Sequence, residues 1–198
     1  KPLPLTAPSS LVLIAANLLP LAGVLTGQLT LGQVMVLFWS ESAIIGFFTL
    51  LKMTIVGKWT VLAGGPFFVA HYGGFMAIHF LFVYGLFAGG FATSTALPAL
   101  EALAALYRPL WPAAAALFVS HAVSFALNFI GRGEYRSETV SGLMAAPYAR
   151  IIVMHLTIIV GGWIAMLAGS NAPALALLIG LKLVADLRGH RREHGGAT

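Results

Sequence analysis

The 198-residue chain contains no cysteine and few charged residues. The absence of cysteine excludes disulfides, thiolate metal ligands, iron–sulfur clusters and a cysteine nucleophile. Charged side chains make up 9% of the chain, whereas about 25% is typical of a soluble domain. Because apolar residues make up 59% and the mean hydropathy is +0.92, the sequence predicts an integral membrane protein embedded in a lipid bilayer.

The apolar segments predict an all-α fold, a polytopic bundle of six transmembrane helices. Each segment has close to the roughly 20 residues that cross a bilayer, and glycine or proline marks most of the boundaries. We expect one transmembrane domain over residues 1–198, of which residues 188–198 form a basic cytoplasmic tail. The predicted spans are residues 9–26, 31–53, 66–89, 110–131, 147–169 and 173–187.

The lysines and arginines predict the orientation of this bundle. Of the 11 basic residues, Arg108 alone lies on the side opposite the two termini. Positive residues favour the cytoplasmic side of a membrane, so both termini are expected on that side. The protein is expected in the cytoplasmic membrane. Lipid and topology account for the net charge of +5, and we expect no nucleic-acid partner. The short segment 97–107 predicts an interfacial helix on the outer surface, between the third and fourth spans.

Five ionisable side chains lie deep inside the predicted spans, where no water is available to solvate them. By helix rise they fall within about 12 Å of one another in depth. An ionisable residue inside a span indicates a functional site, and neutral histidine is the commonest metal ligand. The sequence therefore predicts an intramembrane zinc or non-haem iron site. Its candidate ligands are Glu41, His71, His79, His121 and His155.

Other polar residues are expected to support this site. Arg150 lies at the cytoplasmic mouth of the predicted fifth span, where it could snorkel to the interface, pair with Glu41, or hold an anionic group of a substrate. Glu41 itself is a candidate metal ligand, general base or proton relay, or one half of a structural ion pair. Ser42, Asn128 and Tyr148 are candidate hydrogen-bonding partners of the ligands.

These residues lead to three functional hypotheses. The first is a metal-dependent hydrolase or oxidoreductase that acts on a membrane-embedded or amphipathic substrate, with Glu41 and Arg150 as catalytic residues. The second is a b-type haem electron-transfer protein with two axial histidines. The third is a proton-coupled transporter in which Glu41 and the histidines form a relay. A purely structural metal site is a further alternative, and the sequence is compatible with a homo-oligomer.

Five sequence strings resemble those of a family of small bacterial and archaeal membrane proteins that is known only as a domain of unknown function. The resemblance extends over nearly the whole chain, and it implies six spans but no activity. The strings are WSES (39–42), HYGGFMAIH (71–79), SHAVSFALNF (120–129), APYARIIVMHLTIIVGG (146–162) and LKLVADLRGHRREH (181–194).

Overall fold

The computed structural model describes residues 26–87 and 96–161, together with positions 23, 163, 164, 167, 177, 180 and 181. Within these residues every regular element is helical, which confirms the predicted all-α fold. The chain divides into two compact units, Met35–Ile151 and Lys1–Val34 with Ile152–Thr198. Apart from isolated positions, the predicted first and sixth spans and the basic tail lie outside the described residues.

Helix α1 (Leu31–Gly57) begins at a reciprocal cap. The Thr30 hydroxyl accepts the backbone N–H of Gln33 at 3.1 Å, and the Gln33 side chain accepts the Thr30 N–H at 2.8 Å. This capping box satisfies two N–H groups that have no partner inside the helix. The start of the predicted second span at residue 31 therefore has a local cause in the sequence Thr-Leu-Gly-Gln.

Helices α1 and α2 (Val61–Phe87) form an antiparallel hairpin. The chain reverses at a 3₁₀ turn, Lys58–Thr60, in which Lys58 has a left-handed φ of 49°. Along the hairpin the Trp39 indole donates to the Met76 carbonyl at 2.7 Å. Further towards the turn, the Tyr72 hydroxyl donates to the Ser42 carbonyl at 2.8 Å. Helix α2 starts five residues before Pro66, where the predicted third span begins, so Pro66 lies inside the helix.

Helix α3 (Ala96–Tyr107) occupies the segment predicted to form a short helix, and α4 (Trp111–Ser124) follows it. The chain then continues as a π-helix over Phe125–Gly131. Ring centroids of Phe48 and Phe118 lie 5.3 Å apart, and further along both helices Lys52 Nζ lies 5.0 Å from the Phe129 centroid. From the first contact to the second, the residue number rises in both helices. Helix α4 therefore runs parallel to α1.

The last described helices begin after a short 3₁₀ turn, Glu134–Arg136. The Thr139 side chain caps α5 (Val140–Ala145) by accepting the Gly142 N–H at 3.1 Å. Helix α6 (Tyr148–Leu156) follows and continues as a π-helix over Thr157–Gly161. Val140 lies beside Gly57 at one end of α1, whereas Arg150 contacts Glu41 nearer the other end. The segment from Val140 to Arg150 thus runs antiparallel to α1.

Among the residues that the structure describes, three helical segments are long and apolar enough to cross a membrane. They are the α1–α2 hairpin (Leu31–Phe87), α4 with its π-helical end (Trp111–Gly131), and Val140–Val160. In the second of these, 6% of the most apolar window is buried inside the protein. Because an apolar helix exposed on nearly all sides is stable only outside water, these helices have the character of a membrane protein.

Candidate functional site

An ion pair between Glu41 and Arg150 lies among the apolar faces of α1 and α6. Arg150 Nη2 and Glu41 Oε2 are 2.6 Å apart, and the side chains of Arg150 and Glu41 are 18% and 15% exposed. The guanidinium carbon also lies 5.3 Å from the ring centroid of Phe38, one helical turn before Glu41. Opposite charges this close, on largely buried side chains, form an ion pair that solvent and salt screen only weakly. The structure therefore realises the pairing of Glu41 with Arg150 that the sequence left as one of several alternatives.

His121 of α4 is the predicted histidine ligand whose surroundings include the charges of this pair. It is half-buried, and its ring stacks on Phe48 with centroids 6.2 Å apart. It interacts electrostatically with Glu41, Arg150 and Lys52. His121 thus belongs to the same electrostatic environment as the pair, although Phe48, and no carboxylate, is its ring neighbour.

Two tyrosines and His71 form a second polar group beside Arg150. His71 Nδ1 and the Tyr148 hydroxyl share a hydrogen bond of 2.6 Å, in which the imidazole donates or accepts according to its tautomer. Tyr148 meets Tyr72 edge-on with centroids 5.9 Å apart. Tyr148 stands two residues before Arg150, and Tyr72 donates to the residue that follows Glu41. The prediction that Tyr148 is a hydrogen-bonding partner of a histidine is thus realised with His71.

The other two predicted histidine ligands lie elsewhere. His79 is buried, and its Nδ1–H donates to the Phe75 carbonyl of the preceding turn at 2.6 Å. His155 is exposed in the last turn of α6 and belongs to the other compact unit. The structure thus brings Glu41 together with Arg150, joins His71 to Tyr148, and bonds His79 to a backbone carbonyl.

Two predicted supporting residues make local bonds. Ser42 is fully buried and its hydroxyl donates to the Phe38 carbonyl at 3.1 Å. The Asn128 amide donates to the Ser124 hydroxyl at 3.3 Å, inside the stretch where α4 becomes a π-helix. In an α-helix Asn128 would share a face with His121, seven residues before it, and the wider π turn changes the position of Asn128 on the helix.

The metal hypothesis finds no ready ligand set in residues 26–87 and 96–161. No three histidine, aspartate or glutamate side chains there are grouped so as to hold a metal ion. The Nδ1 atoms of His71 and His79, and one carboxylate oxygen of Glu41, already have protein partners. The zinc or iron enzyme and the haem protein therefore stay predictions from the sequence.

Sequence reasoning missed several contacts that build the site. Phe38 lies against Arg150, and Tyr72 bonds the Ser42 carbonyl. The Tyr107 hydroxyl lies 3.0 Å from the Ser40 hydroxyl and ties the end of α3 to α1. Burial raises the pKa of Tyr107, against a smaller lowering by the bond to Ser40. The sequence offers one signal for two of these residues, which is their position. Ser40 directly precedes Glu41, and Tyr72 directly follows His71.

Comparison with known proteins identifies the family of the chain. The model described as "Family of unknown function (DUF6498)" matches residues 1–198. No curated protein and no solved structure matches the chain.

Proposed function

We propose that this chain, which belongs to the DUF6498 family of unknown function, is a proton-coupled carrier of the cytoplasmic membrane. Glu41 is the group that takes up and releases the coupled proton, and Arg150 is its counter-ion. The observation that carries the proposal is the 2.6 Å ion pair between these two side chains, each less than one-fifth exposed.

The energetics of a buried ion pair favour a role beyond stability. Removing two charges from water costs several kcal/mol per ion, and well-packed apolar side chains often stabilise a fold equally well or better. Charged residues inside membrane spans mark ion pathways and proton relays. The Glu41–Arg150 pair is therefore better suited to a change of state than to holding the helices together.

The pair has two states that differ by one proton. With Glu41 ionised, the carboxylate and the guanidinium neutralise each other. If the two separate, the buried carboxylate becomes neutral by taking up a proton, since an isolated charge is strongly disfavoured there. Separation of the helices that carry the pair is thereby coupled to proton uptake, which is the elementary step of a proton-driven carrier.

The position of the pair along the helices supports this reading. Glu41 lies ten residues into α1, and Arg150 lies ten residues into the candidate span Val140–Val160. Glu41 is thus about 15 Å from the start of its helix, which is half of a hydrocarbon core about 30 Å thick, and Arg150 lies at the same level because it contacts Glu41. A site near the bilayer midplane is where carriers bind their cargo.

The proposal includes six spans with both termini on the cytoplasmic side. The alternating directions of α1, α2, α4 and α6 support it, because consecutive spans must cross in opposite senses. The first and sixth spans, residues 9–26 and 173–187, and the positive-inside orientation rest on the sequence.

Reconstitution tests the proposed function. Purified full-length protein is placed in liposomes that contain a pH-sensitive dye, and gradients of small anions, cations and neutral solutes are imposed in turn. We expect protein-dependent proton movement with at least one class of solute. It should be abolished in Glu41→Gln and retained in Glu134→Gln, a matched change of an exposed glutamate. No proton movement with any class, or equal movement in Glu41→Gln, contradicts the proposal.

A further inference from the structure

We infer that Arg150 is the binding site of a small monocarboxylate anion, which takes the place of the Glu41 carboxylate when Glu41 is protonated. This inference rests on the proposed carrier function and specifies its cargo. The side chain of Glu41 is itself a carboxylate bound to the guanidinium, so the structure already displays the interaction that a carboxylate cargo would make.

Phe38 is the feature that lets Arg150 exchange partners. Its ring lies 5.3 Å from the guanidinium carbon, and a ring face attracts a cation independently of any carboxylate. Arg150 is thus held at the site by a contact that does not involve Glu41. A guanidinium also cannot lose its charge in a protein, so Arg150 can still attract an anion when Glu41 is neutral.

Charge balance selects the class of anion. In the observed state Glu41 contributes one negative charge and Arg150 one positive charge. When Glu41 is protonated, Arg150 is left with one positive charge, and a single negative charge restores neutrality. A planar carboxylate matches the fork of N–H donors of arginine. A monocarboxylate therefore fits better than a dianion, which would leave one buried charge uncompensated.

The neighbouring groups suit a small organic acid. Phe38 lies against the guanidinium, and Tyr72, which bonds the Ser42 carbonyl, meets Tyr148 edge-on. Phe38 and Tyr72 are both buried, so the surroundings of the pair are rich in aromatic groups that suit the apolar part of an acid. The inferred cargo is an acid with a short apolar body.

Several titratable or charged groups lie on α1 and on four of the helices that contact it. Lys52 belongs to α1 itself. The others are His71 and Tyr72 of α2, Tyr107 of α3, His121 of α4, and Tyr148 and Arg150 of α6. Arg150 is the cation in direct contact with the Glu41 carboxylate, and protonation of His121 would add a second positive charge. The variant that tests the role of Glu41 must therefore change Glu41 and keep His121 unchanged.

The exchange conserves atoms and charge. The Glu41 carboxylate gains one proton and becomes a neutral carboxylic acid, and one carboxylate anion from solution pairs with the Arg150 guanidinium. Release on the other side reverses both steps. One proton and one monoanion thus cross together, with no net movement of charge.

Equilibrium binding to the detergent-purified full chain tests the inference. The probes are acetate, butanoate and benzoate, each compared with its neutral amide. We expect the acids alone to bind, one proton to be taken up per anion, and wild-type affinity to fall with rising pH by up to about tenfold per pH unit. In Glu41→Gln the affinity should become independent of pH, and Glu134→Gln should behave as wild type.

Removing the cation provides the complementary test. Arg150→Gln should abolish binding, and Glu41→Gln/Arg150→Gln, which leaves no unpaired charge, serves where the single variant does not fold. Equal binding of amides, binding that survives loss of Arg150, pH-independent binding in wild type, or no binding of any acid overturns the inference. Proton-linked binding without transport in liposomes contradicts the carrier function alone, whereas proton transport without acid binding contradicts the cargo alone.

Discussion

At the scale of single residues, the partners of Glu41 decide how the chain is understood. A glutamate in an apolar helix can be a metal ligand, a base, a relay or a structural ion, and its residue type does not distinguish them. The 2.6 Å contact with Arg150 and the ring of Phe38 beneath the guanidinium make it one half of a charge pair. The chemistry available to the site is therefore first of all the making and breaking of this pair.

A double-mutant cycle measures how strongly the two charges are coupled. Glu41→Gln takes the Glu41 carboxylate away from the buried Arg150, so we expect a loss of about 3 kcal/mol in the free energy of unfolding. The double variant Glu41→Gln/Arg150→Gln removes both charges and should lie within about 1 kcal/mol of wild type. Denaturant titration in detergent micelles provides the measurement. Additive losses in the two single variants would show that the charges are not coupled.

The role of metal has its own test at this scale. The carrier account predicts that stripping zinc and iron with a chelator leaves Glu41-dependent proton movement in liposomes unchanged. Elemental analysis of the same sample, and of a His121→Ala/His155→Ala variant, provides the comparison. Bound zinc or iron that is lost in this variant, together with loss of activity, would instead support the metal-dependent enzyme predicted from the sequence.

Residue type alone could predict which side chains matter but not all of their partners. Glu41 and Arg150 stand out in the sequence because charge is rare in apolar segments. Tyr148 was expected to bond a histidine, and His71 fulfils this. Phe38 and Tyr72 could not be identified from the sequence, because their roles depend on which face of each helix meets its neighbour. Nothing in the sequence distinguishes them from its many other aromatic residues.

At the scale of elements, a glycine sets the spacing of the α1–α2 hairpin. A side chain at Gly46 would collide with the ring of Tyr72, whereas Gly73 has open space around its Cα. Tyr72 in turn bonds the Ser42 carbonyl, next to Glu41. The close approach of the two helices therefore positions a residue that adjoins the charge pair.

Two alanine substitutions distinguish the effect of this close approach on stability from the effect of the higher helix propensity of alanine. Gly46→Ala should cost about 1–3 kcal/mol of stability because the ring of Tyr72 must move. Gly73→Ala, a matched change in open space, should be neutral or stabilising by up to about 1 kcal/mol. Thermal unfolding in detergent compares the two variants. Equal effects would mean that the hairpin is not closely packed at Gly46.

The extent of the helices was partly predictable from the sequence. The capping box at Thr30 gives the start of α1 a local signal, and α3 matches the short helix expected at residues 97–107. Pro66 was taken as a helix start because proline favours the first turn, yet α2 begins at Val61. The π-helix after Ser124 has no local signal, since neither proline nor an inserted glycine precedes it.

At the scale of the whole molecule, the directions of the helices are the evidence that bears on the proposed six-span topology. Helix α2 and the segment leading to Arg150 run antiparallel to α1, and α4 runs parallel to it. This is the order expected of consecutive spans. The 3₁₀ turn at Lys58–Thr60, with Trp59 84% exposed, and Arg108 after α3 should then lie on opposite sides of the bilayer.

The absence of native cysteine allows a direct test of this topology. Trp59→Cys and Arg108→Cys each introduce one thiol into a chain that has none. In intact cells an impermeant thiol reagent should label residue 108 from outside, and residue 59 only after the membrane is opened. Labelling of both residues from outside would contradict the six-span orientation.

The central claim is that Glu41 takes up a proton as it leaves Arg150. Infrared difference spectroscopy of the full chain in lipid, recorded over a pH titration, measures this directly. The account predicts that the carbonyl band of a protonated carboxyl appears on acidification in wild type and in Glu134→Gln, and is missing in Glu41→Gln. A Glu41 that stays ionised throughout the pH range in which the protein remains folded would contradict it.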